Sequence, residues 1–395
     1  MPDAAPARGF EQAEFERRLD RAQALMAEEG LGGVLLTTEP EIRYFSGFHT
    51  LFWQSPTRPW FLFLPKTGAP VAVIPEIGAD LMRRTWVRDI RTWSAPSPAD
   101  DGLSLLRELL EPYAEKGAAV GMLKGHETHL RMPLGDFERL LEHLPGLTIR
   151  DATALVKSLR MVKSEAEIEK IGHICAVASR TFAAADGLFH AGQPLTEAFR
   201  AFKIECLTQG ADDVPYLVGG AGRGGYSDVI SPPSPRPLQI GDVLMLDTGS
   251  VFDGYFCDFD RNFAIGAAED EARRAHEVLY AATEAGLKAA RPGVAAADLF
   301  QAMQSVIAQF DDQAHNNQGG DVGRLGHGLG MQLTEWPSNA AFDRTVLQEN
   351  MVMTLEPSLS YGAGKIMVHE ENIVVRDGAP TLLSERAAPE LPIIG

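Results

Sequence analysis

Two aspartates, Asp247 and Asp258, lie in the stretch MLDTGSVFDGYFCDFDR at residues 245–261. Asp247 closes an apolar run, Val243, Leu244, Met245 and Leu246, that reads as a strand. Gly249 and Asp253-Gly254 punctuate a turn or hairpin, and Tyr255, Phe256 and Cys257 lead into Asp258 as a second strand. Strands joined in this way bring two carboxylates to one point. Burying both is costly unless cations sit between them. Taken alone, the pair reads equally well as two solvated turn aspartates. Three later segments carry further metal-capable side chains: His327 in GHGLGM, Glu356 in MTLEPSLSY and Glu371 in MVHEENIVV. Four carboxylates and one imidazole form a hard, oxygen-rich set, suited to two divalent ions such as Mn, Fe, Co or Zn rather than to a thiolate site. Two such ions about 3.5–4 Å apart share a water and make it hydroxide near neutral pH.

Short extended segments must position these groups, and the rest of the chain supplies the frame. Residues 11–29 read as an amphipathic helix with Phe15, Leu19, Ala22, Leu25 and Met26 on one face and Gly30 as its stop. Residues 33–38 read as a buried strand, and 61–65 and 71–75 as a hairpin. Helices are expected at 105–113 and 134–143. Between the first strand and the hairpin, Phe52, Trp53 and Trp60 flank Ser55, Pro56, Thr57, Arg58 and Pro59, aromatics that read as core around a surface loop. Alternating strand and helix signals make residues 1–155 an α/β amino-terminal domain, with residues 156–395 as the second domain. Ser164 followed by Glu167 is a capping box for a helix over 165–188. Helices follow over 195–209, with Thr196 as a cap, and over 267–291 and 297–310. The glycines of YLVGGAGRGGYSD lack a following helix or a Gly-Lys-Ser/Thr, so they read as a mobile loop or strand edge lining the pocket rather than a phosphate loop. His173, His190 and His276 read as packing, helix-end and helix-surface residues. His315, in a polar loop, is a weaker candidate for the pocket.

The Asp–(ten residues)–Asp pair, the GHGxG histidine, Glu356-Pro357 after an apolar strand and the late Glu-Asn in a strand resemble the pita-bread metallohydrolases, which include aminopeptidase P, prolidase, methionine aminopeptidase and creatinase. The likeness is strong from about residue 155 onward and looser before it, where it implies a creatinase-type amino-terminal domain. It implies an α+β fold, with two helix pairs on a curved antiparallel sheet in the catalytic domain. It also implies two divalent ions, manganese first, held by Asp247, Asp258, His327, Glu356 and Glu371, with Asp258 and Glu371 bridging. Water activated between the ions would attack a carbonyl, and Glu356 would shuttle the proton. A homodimer is the family expectation, and members that dimerise make Arg58 and Trp53 candidates for a substrate wall.

Departures from the peptidase pattern fall in the substrate shell. The family's histidine seventeen residues before the first aspartate corresponds to Ile230, and the one seven residues after the GHG histidine corresponds to Thr334. These histidines hold substrate and stabilise charge in the tetrahedral intermediate, contributions worth a few kcal/mol each. Ile230 and Thr334 would shape a different pocket. Two residues before Glu371, His369 stands where many peptidases have arginine, a substrate-side imidazole or a supporting residue. Asp260 replaces an expected threonine and adds negative charge, which Arg261 would partly neutralise.

Composition narrows the classes. The chain has 395 residues, enough for two domains with real cores, and a net charge of −18 that argues against nucleic-acid binding. Three cysteines, Cys175, Cys206 and Cys257, share no metal spacing and fit free thiols in a reducing, cytoplasmic setting. No secretory leader and no bilayer-length apolar run is evident, so no membrane association is expected. The leading expectation is a hydrolase of short X-Pro peptides. Its rival is a metal-dependent hydrolase or lyase of a small metabolite, and a silent binding protein stands third, opposed by five intact ligand positions.

Overall fold

The computed structural model describes residues 4–55, 58–314, 323–362 and 364–395. Pro56, Thr57 and His315 lie outside the described residues. The chain divides into two compact units, Ala7–Arg160 and one that includes Met161–Gly395.

In the amino-terminal unit, α1 (Gln12–Glu29) buries Phe15, Leu19, Ala22 and Met26 as the spacing predicts, and Gly30 ends it in the left-handed conformation at φ 67°. Strands β1 (Leu31–Leu36), β2 (Phe61–Pro65), β3 (Val71–Pro75), β4 (Asp89–Trp93), β5 (Ala119–Met122) and β6 (Thr148–Asp151) form one sheet in the order β4-β3-β2-β1-β5-β6. The β1–β2 and β2–β3 pairs are antiparallel, and the outer pairs are parallel. Helices α2 (Glu39–Ser46), α3 (Ala79–Met82), α4 (Leu103–Glu115) and α5 (Leu134–His143) complete the α/β layers. Leu35, Phe63, Val73, Val120, Leu106, Leu110 and Leu140 form the core between sheet and helices.

Trp53 belongs to this interior. It is 8% exposed and packs with Phe48 and Trp60, with ring centroids 6.4 and 5.7 Å away. The Arg131 guanidinium lies 4.8 Å from its ring centre and donates to the carbonyls of Ser55 and Arg58 at 2.6 and 2.7 Å. Packing therefore accounts for Trp53. Arg58 is half-buried, with its guanidinium 5.5 Å from the Phe52 ring.

Helix α6 (Thr153–Met161) moves the division past residue 155. Its Leu155, Val156 and Leu159 are buried, Arg160 pairs with Glu41, and the Leu159 carbonyl accepts from the Tyr44 hydroxyl at 3.0 Å. The break comes after Arg160 because this helix packs into the first unit.

The second unit begins with α7 (Glu165–Ala183), capped by Ser164 and Glu167 in the expected box, then α8 (Ala185–Leu188) and α9 (Leu195–Gln209). The residue before α9 is Pro194, and no side chain caps it, so Thr196 does not play that part. Strand β7 (Asp213–Arg223) pairs with β8 (Asp242–Phe252), which also pairs with β9 (Tyr255–Phe256) and β10 (Phe259–Ile265). Helices α10 (Asp270–Ala289) and α11 (Ala296–Ala314) follow. A second sheet contains β11 (His327–Gly328), β12 (Glu335–Ser338), β13 (Val352–Leu355), β16 (Glu371–Val374) and β17 (Thr381–Leu382) in the order β12-β11-β13-β16-β17. The hairpin β14 (Ser358–Tyr361) and β15 (Lys365–Val368) leads into β16, and β18 (Ile393–Ile394) joins β10 in parallel. Helices α7 and α9 pair over β7–β9, and α10 and α11 pair over the second sheet. Leu279, Ala282, Met303, Met353, Leu355 and Ile373 lie in the core beneath the second pair. Two helix pairs on antiparallel sheet are the arrangement the resemblance implies.

Candidate metal centre

Strand β8 does not end at Asp247. It runs on to Phe252 because Gly249 is accommodated by close packing, with Leu333 and Tyr216 where a side chain would project. Asp253 and Gly254, at φ 47° and 75°, make the turn into β9. The chain then returns as β10, and the β8–β10 register sets Asp247 opposite Asp260 and Thr248 opposite Phe259. Asp258 stands just before β10. Its peptide is bracketed by the Asn372 carboxamide, which accepts from Asp258 N at 2.9 Å and donates to Asp258 O.

His327 is held between two glycines because backbone crowds both. A side chain on Gly326 would meet the Thr354 carbonyl at 2.3 Å, and one on Gly328 would meet the Trp336 carbonyl at 2.1 Å. The imidazole Nδ1 lies 2.9 Å from the Gly328 carbonyl, which assigns its proton there. Nε2 is then a bare lone pair, 3.4 Å from Asp258 Oδ2 and 3.9 Å from Glu356 Oε2. A lone pair facing carboxylate oxygens is repulsive unless a proton or a metal cation lies between them.

Register also decides which of two neighbouring glutamates lies beside Asp258, and it is Glu370 rather than the expected Glu371. Strands β13 and β16 pair Thr354 with Asn372 and Leu355 with Glu371, and His369 N donates to Pro357 O at 3.1 Å. One step along the same ladder places Glu356 opposite Glu370. Side chains alternate along a strand, so Glu370 and Asn372 face Asp258 while His369 and Glu371 face helix α10. Asp258, His327 and Glu370 accordingly bring ligand atoms within 4.8 Å of one another. Glu371 is fully buried on the other face, where Arg261 Nη2 at 3.0 Å, Arg386 Nη1 at 3.1 Å, Ala387 N at 2.9 Å and the Ser384 hydroxyl occupy its oxygens. It has no free oxygen for an ion.

The same alternation removes His369 from the substrate side. Its ring lies 5.6 Å from that of His276 and 6.0 Å from that of Tyr280, with Nδ1 3.3 Å from the Thr283 hydroxyl. Burial holds it well below the usual histidine range, with the nearby His276, Arg261 and Arg386 adding to the effect. It supports the sheet from the helix side. His276, expected on a helix surface, is buried beside it. Ile230 is 75% exposed, so it forms no pocket wall in this chain. Thr334 is half-buried just before β12, and its neighbour Glu335 is fixed by a buried ion pair with Lys163 at 3.1 Å. Arg261 spends its guanidinium on Glu371 and on the carbonyls of Asp260, Glu370 and Glu385 rather than on the Asp260 carboxylate.

The electrostatics describe a site short of positive charge. Burial pushes the Asp247 carboxyl up to about 7, opposed by a hydrogen bond from Tyr216. Burial also raises Glu356 to about 7, with the Asp247 charge adding and Arg324 opposing. Asp258, Glu370 and Asp260 lie well above the carboxylate range, through burial first and neighbouring carboxylates second. Burial holds His327 down to about 4, so it is neutral near pH 7. Asp247 Oδ1, Asp260 Oδ1 and Glu370 Oε1 are buried without a hydrogen-bond partner among the described residues. Buried oxygens without donors are costly, and divalent cations remove that cost. The residues present therefore fit a divalent-metal group. Tyr216, Arg324 and Glu370 were not singled out from the sequence. Glu370 alone had a signal there, the period-two alternation around Asn372.

Two family models match the chain. Metallopeptidase family M24 matches residues 166–377, and the creatinase/prolidase N-terminal domain matches residues 18–162. Among curated relatives, the probable dipeptidase PepE of Mycobacterium tuberculosis is 27% identical over 384 residues, 94% of this chain and 95% of the relative. The Xaa-Pro dipeptidase of Pyrococcus horikoshii is 23% identical over 362 residues, 90% of this chain and 94% of the relative. Among solved structures, dipeptidase PepE from Mycobacterium ulcerans superposes with a TM-score of 0.83 at 26% identity, covering 98% of this chain and 99% of that one. A prolidase from Thermococcus sibiricus gives 0.84 at 22% identity, covering 96% and 99%.

Proposed function

The chain belongs to metallopeptidase family M24, and on that footing we propose that it is a dinuclear metal-dependent dipeptidase acting on short peptides, Xaa-Pro dipeptides first. The chain is a metal-dependent, peptidase-like hydrolase. The observation that carries the finer reading is the juxtaposition of Asp258, His327 and Glu370, with Glu356 beside His327 and buried oxygens left without donors among the described residues. Asp247, Asp258, His327, Glu356 and Glu370 would hold two divalent ions, manganese before iron, cobalt or zinc. When bound, the ions supply Lewis-acid polarisation and lower the pKa of water.

The chain's own residues do the rest. His327 keeps its proton on Nδ1 and presents Nε2 as a donor atom. Tyr216 orients Asp247 through its hydrogen bond. A third of the Glu356 side chain is exposed, and it stands beside His327. Such a group can take a proton from water and hand it to a leaving amine. Lys163 anchors the segment that carries Thr334. Arg324 bears positive charge on Asp258, Glu356 and His327 and suits the negative end of a short substrate.

A second reading, a non-peptidase hydrolase or lyase of a small metabolite, is favoured by Ile230 and Thr334 standing where the resemblance expects substrate-binding histidines. Metal-stripped protein reloaded with manganese and offered Xaa-Pro dipeptides, other dipeptides and small amides separates the two. Hydrolysis of dipeptides that depends on metal supports the first. A loaded enzyme that turns over only non-peptide amides supports the second. The buried free thiols Cys175, Cys206 and Cys257 suit a reducing cytoplasm. Among the described residues no helix is long and apolar enough to cross a membrane. The reading also carries a homodimer, checked by light scattering, and keeps Arg58 as a substrate contact, which an unchanged KM in Arg58→Ala would remove.

A further inference from the structure

Asp260 has no counterpart in the five-ligand set, and its surroundings brace one carboxylate oxygen while leaving the other without a partner among the described residues. It is 1% exposed, and it faces Asp247 directly across the β8–β10 ladder, so both side chains stand on one face. Two residues earlier, Asp258 falls on that face by alternation. One carboxylate oxygen, Oδ2, accepts from Asn262 Nδ2 at 2.7 Å. Asn262 is itself fixed, donating to the Val368 carbonyl at 2.7 Å and accepting from the buried Tyr226 hydroxyl at 2.9 Å. The Tyr226 oxygen accepts in turn from Val368 N at 2.9 Å. This chain of bonds locks the carboxylate in one orientation. Its other oxygen, Oδ1, is buried with no partner among the described residues, as is Asp247 Oδ1. Metal-ligating carboxylates are held in this way, one oxygen braced by a hydrogen bond and the other open to the ion.

We propose that Asp260 is a sixth protein ligand, coordinating through Oδ1 the ion that Asp247 holds. This rests on the dinuclear reading above. The ion next to Asp247 would then have an all-carboxylate protein shell, whereas its neighbour has the His327 imidazole. Hard, oxygen-preferring ions would be favoured at the first position, and the two positions would differ in affinity and metal preference.

The test is a Co²⁺ titration of metal-free protein near neutral pH, followed by calorimetry and by visible absorption, on wild type, Asp260→Asn and Asp260→Thr. Asparagine keeps the shape, and its amide oxygen can still accept the hydrogen bond from Asn262, but it loses the anionic oxygen. Threonine is smaller and guards against a variant that fails to fold, which far-UV circular dichroism reports. The expected result is about two ions in wild type. In the variants one ion should bind at least about tenfold more weakly, with a changed d–d spectrum for that ion alone. Two ions bound with wild-type affinity and spectrum in both variants would overturn the assignment of Asp260 and leave the dinuclear reading standing. Fewer than two ions in wild type would overturn both.

Discussion

Glu370 and Glu371 are neighbours in the chain, both buried, and their surroundings are opposite. Glu370 looks across the ladder to Glu356 and lies among Asp258, Asp247 and His327, with an oxygen to which no described residue donates. Glu371 looks toward helix α10 and receives two arginines, a hydroxyl and a backbone amide. One face of the strand is built short of positive charge and the other is neutralised by the chain itself. The difference separates function from stability within two adjacent residues. A carboxylate satisfied by the protein holds the fold, and one left without donors is open to an ion.

Substitutions on the two faces should therefore fail in different ways. The largest effect is expected for Glu370→Gln. Turnover should fall at least about 10³-fold as a Lewis-acid contribution of several kcal/mol is weakened, and metal content should drop. Chemical denaturation of the metal-free variant should show a fold no less stable than wild type. A metal content equal to wild type would break the comparison. Next comes Glu356→Gln, with turnover down about 10²–10⁴-fold through loss of the proton carrier and denaturation midpoints nearly unchanged. Turnover near wild type would remove Glu356 from the mechanism.

Glu371→Ala should behave the other way. It strands Arg261 and Arg386, and the unfolding free energy from urea titration should fall by about 3–5 kcal/mol. A loss under about 1 kcal/mol would mean that the arginine face is not what holds this strand.

The smallest effect is the pH dependence. In the metal-free chain Asp247 and Glu356 have folded-state pKa values near 7, raised from 3.8 and 4.5. The folded state binds more protons between those limits, so their contribution is complete below about pH 4 and is lost as pH rises through about 7. The melting temperature of metal-free protein should fall between about pH 5 and pH 8, and added Mn²⁺ should raise it more at the higher pH. A metal-free melting temperature that rises over this interval would contradict the reading of the site.

Most of the frame was legible in the sequence. Helices α5 and α9 and the hairpin β2–β3 have the predicted bounds, and the Ser164–Glu167 box is present, because these features depend on local periodicity and capping. What was not legible depends on partners distant in sequence. Gly249 reads as a break, yet β8 continues through it because Tyr216 and Leu333 pack where a side chain would be. The choice between Glu370 and Glu371 is a one-residue matter of register, and register flips every side chain to the other face. The position of Asn372, bonded to the Asp258 peptide, decides it. His369 went astray for the same reason. Asp260 was visible as extra charge, but its open oxygen appears only once the β8–β10 pairing is known.

Anomalous diffraction from crystals grown with Mn²⁺ tests the central claim most directly. The account predicts two peaks, each within about 2.0–2.6 Å of carboxylate oxygens, with Asp258 and Glu370 close to both and none beside Glu371. A peak coordinated by Glu371, or no peak among Asp247, Asp258, His327, Glu356 and Glu370, would contradict it.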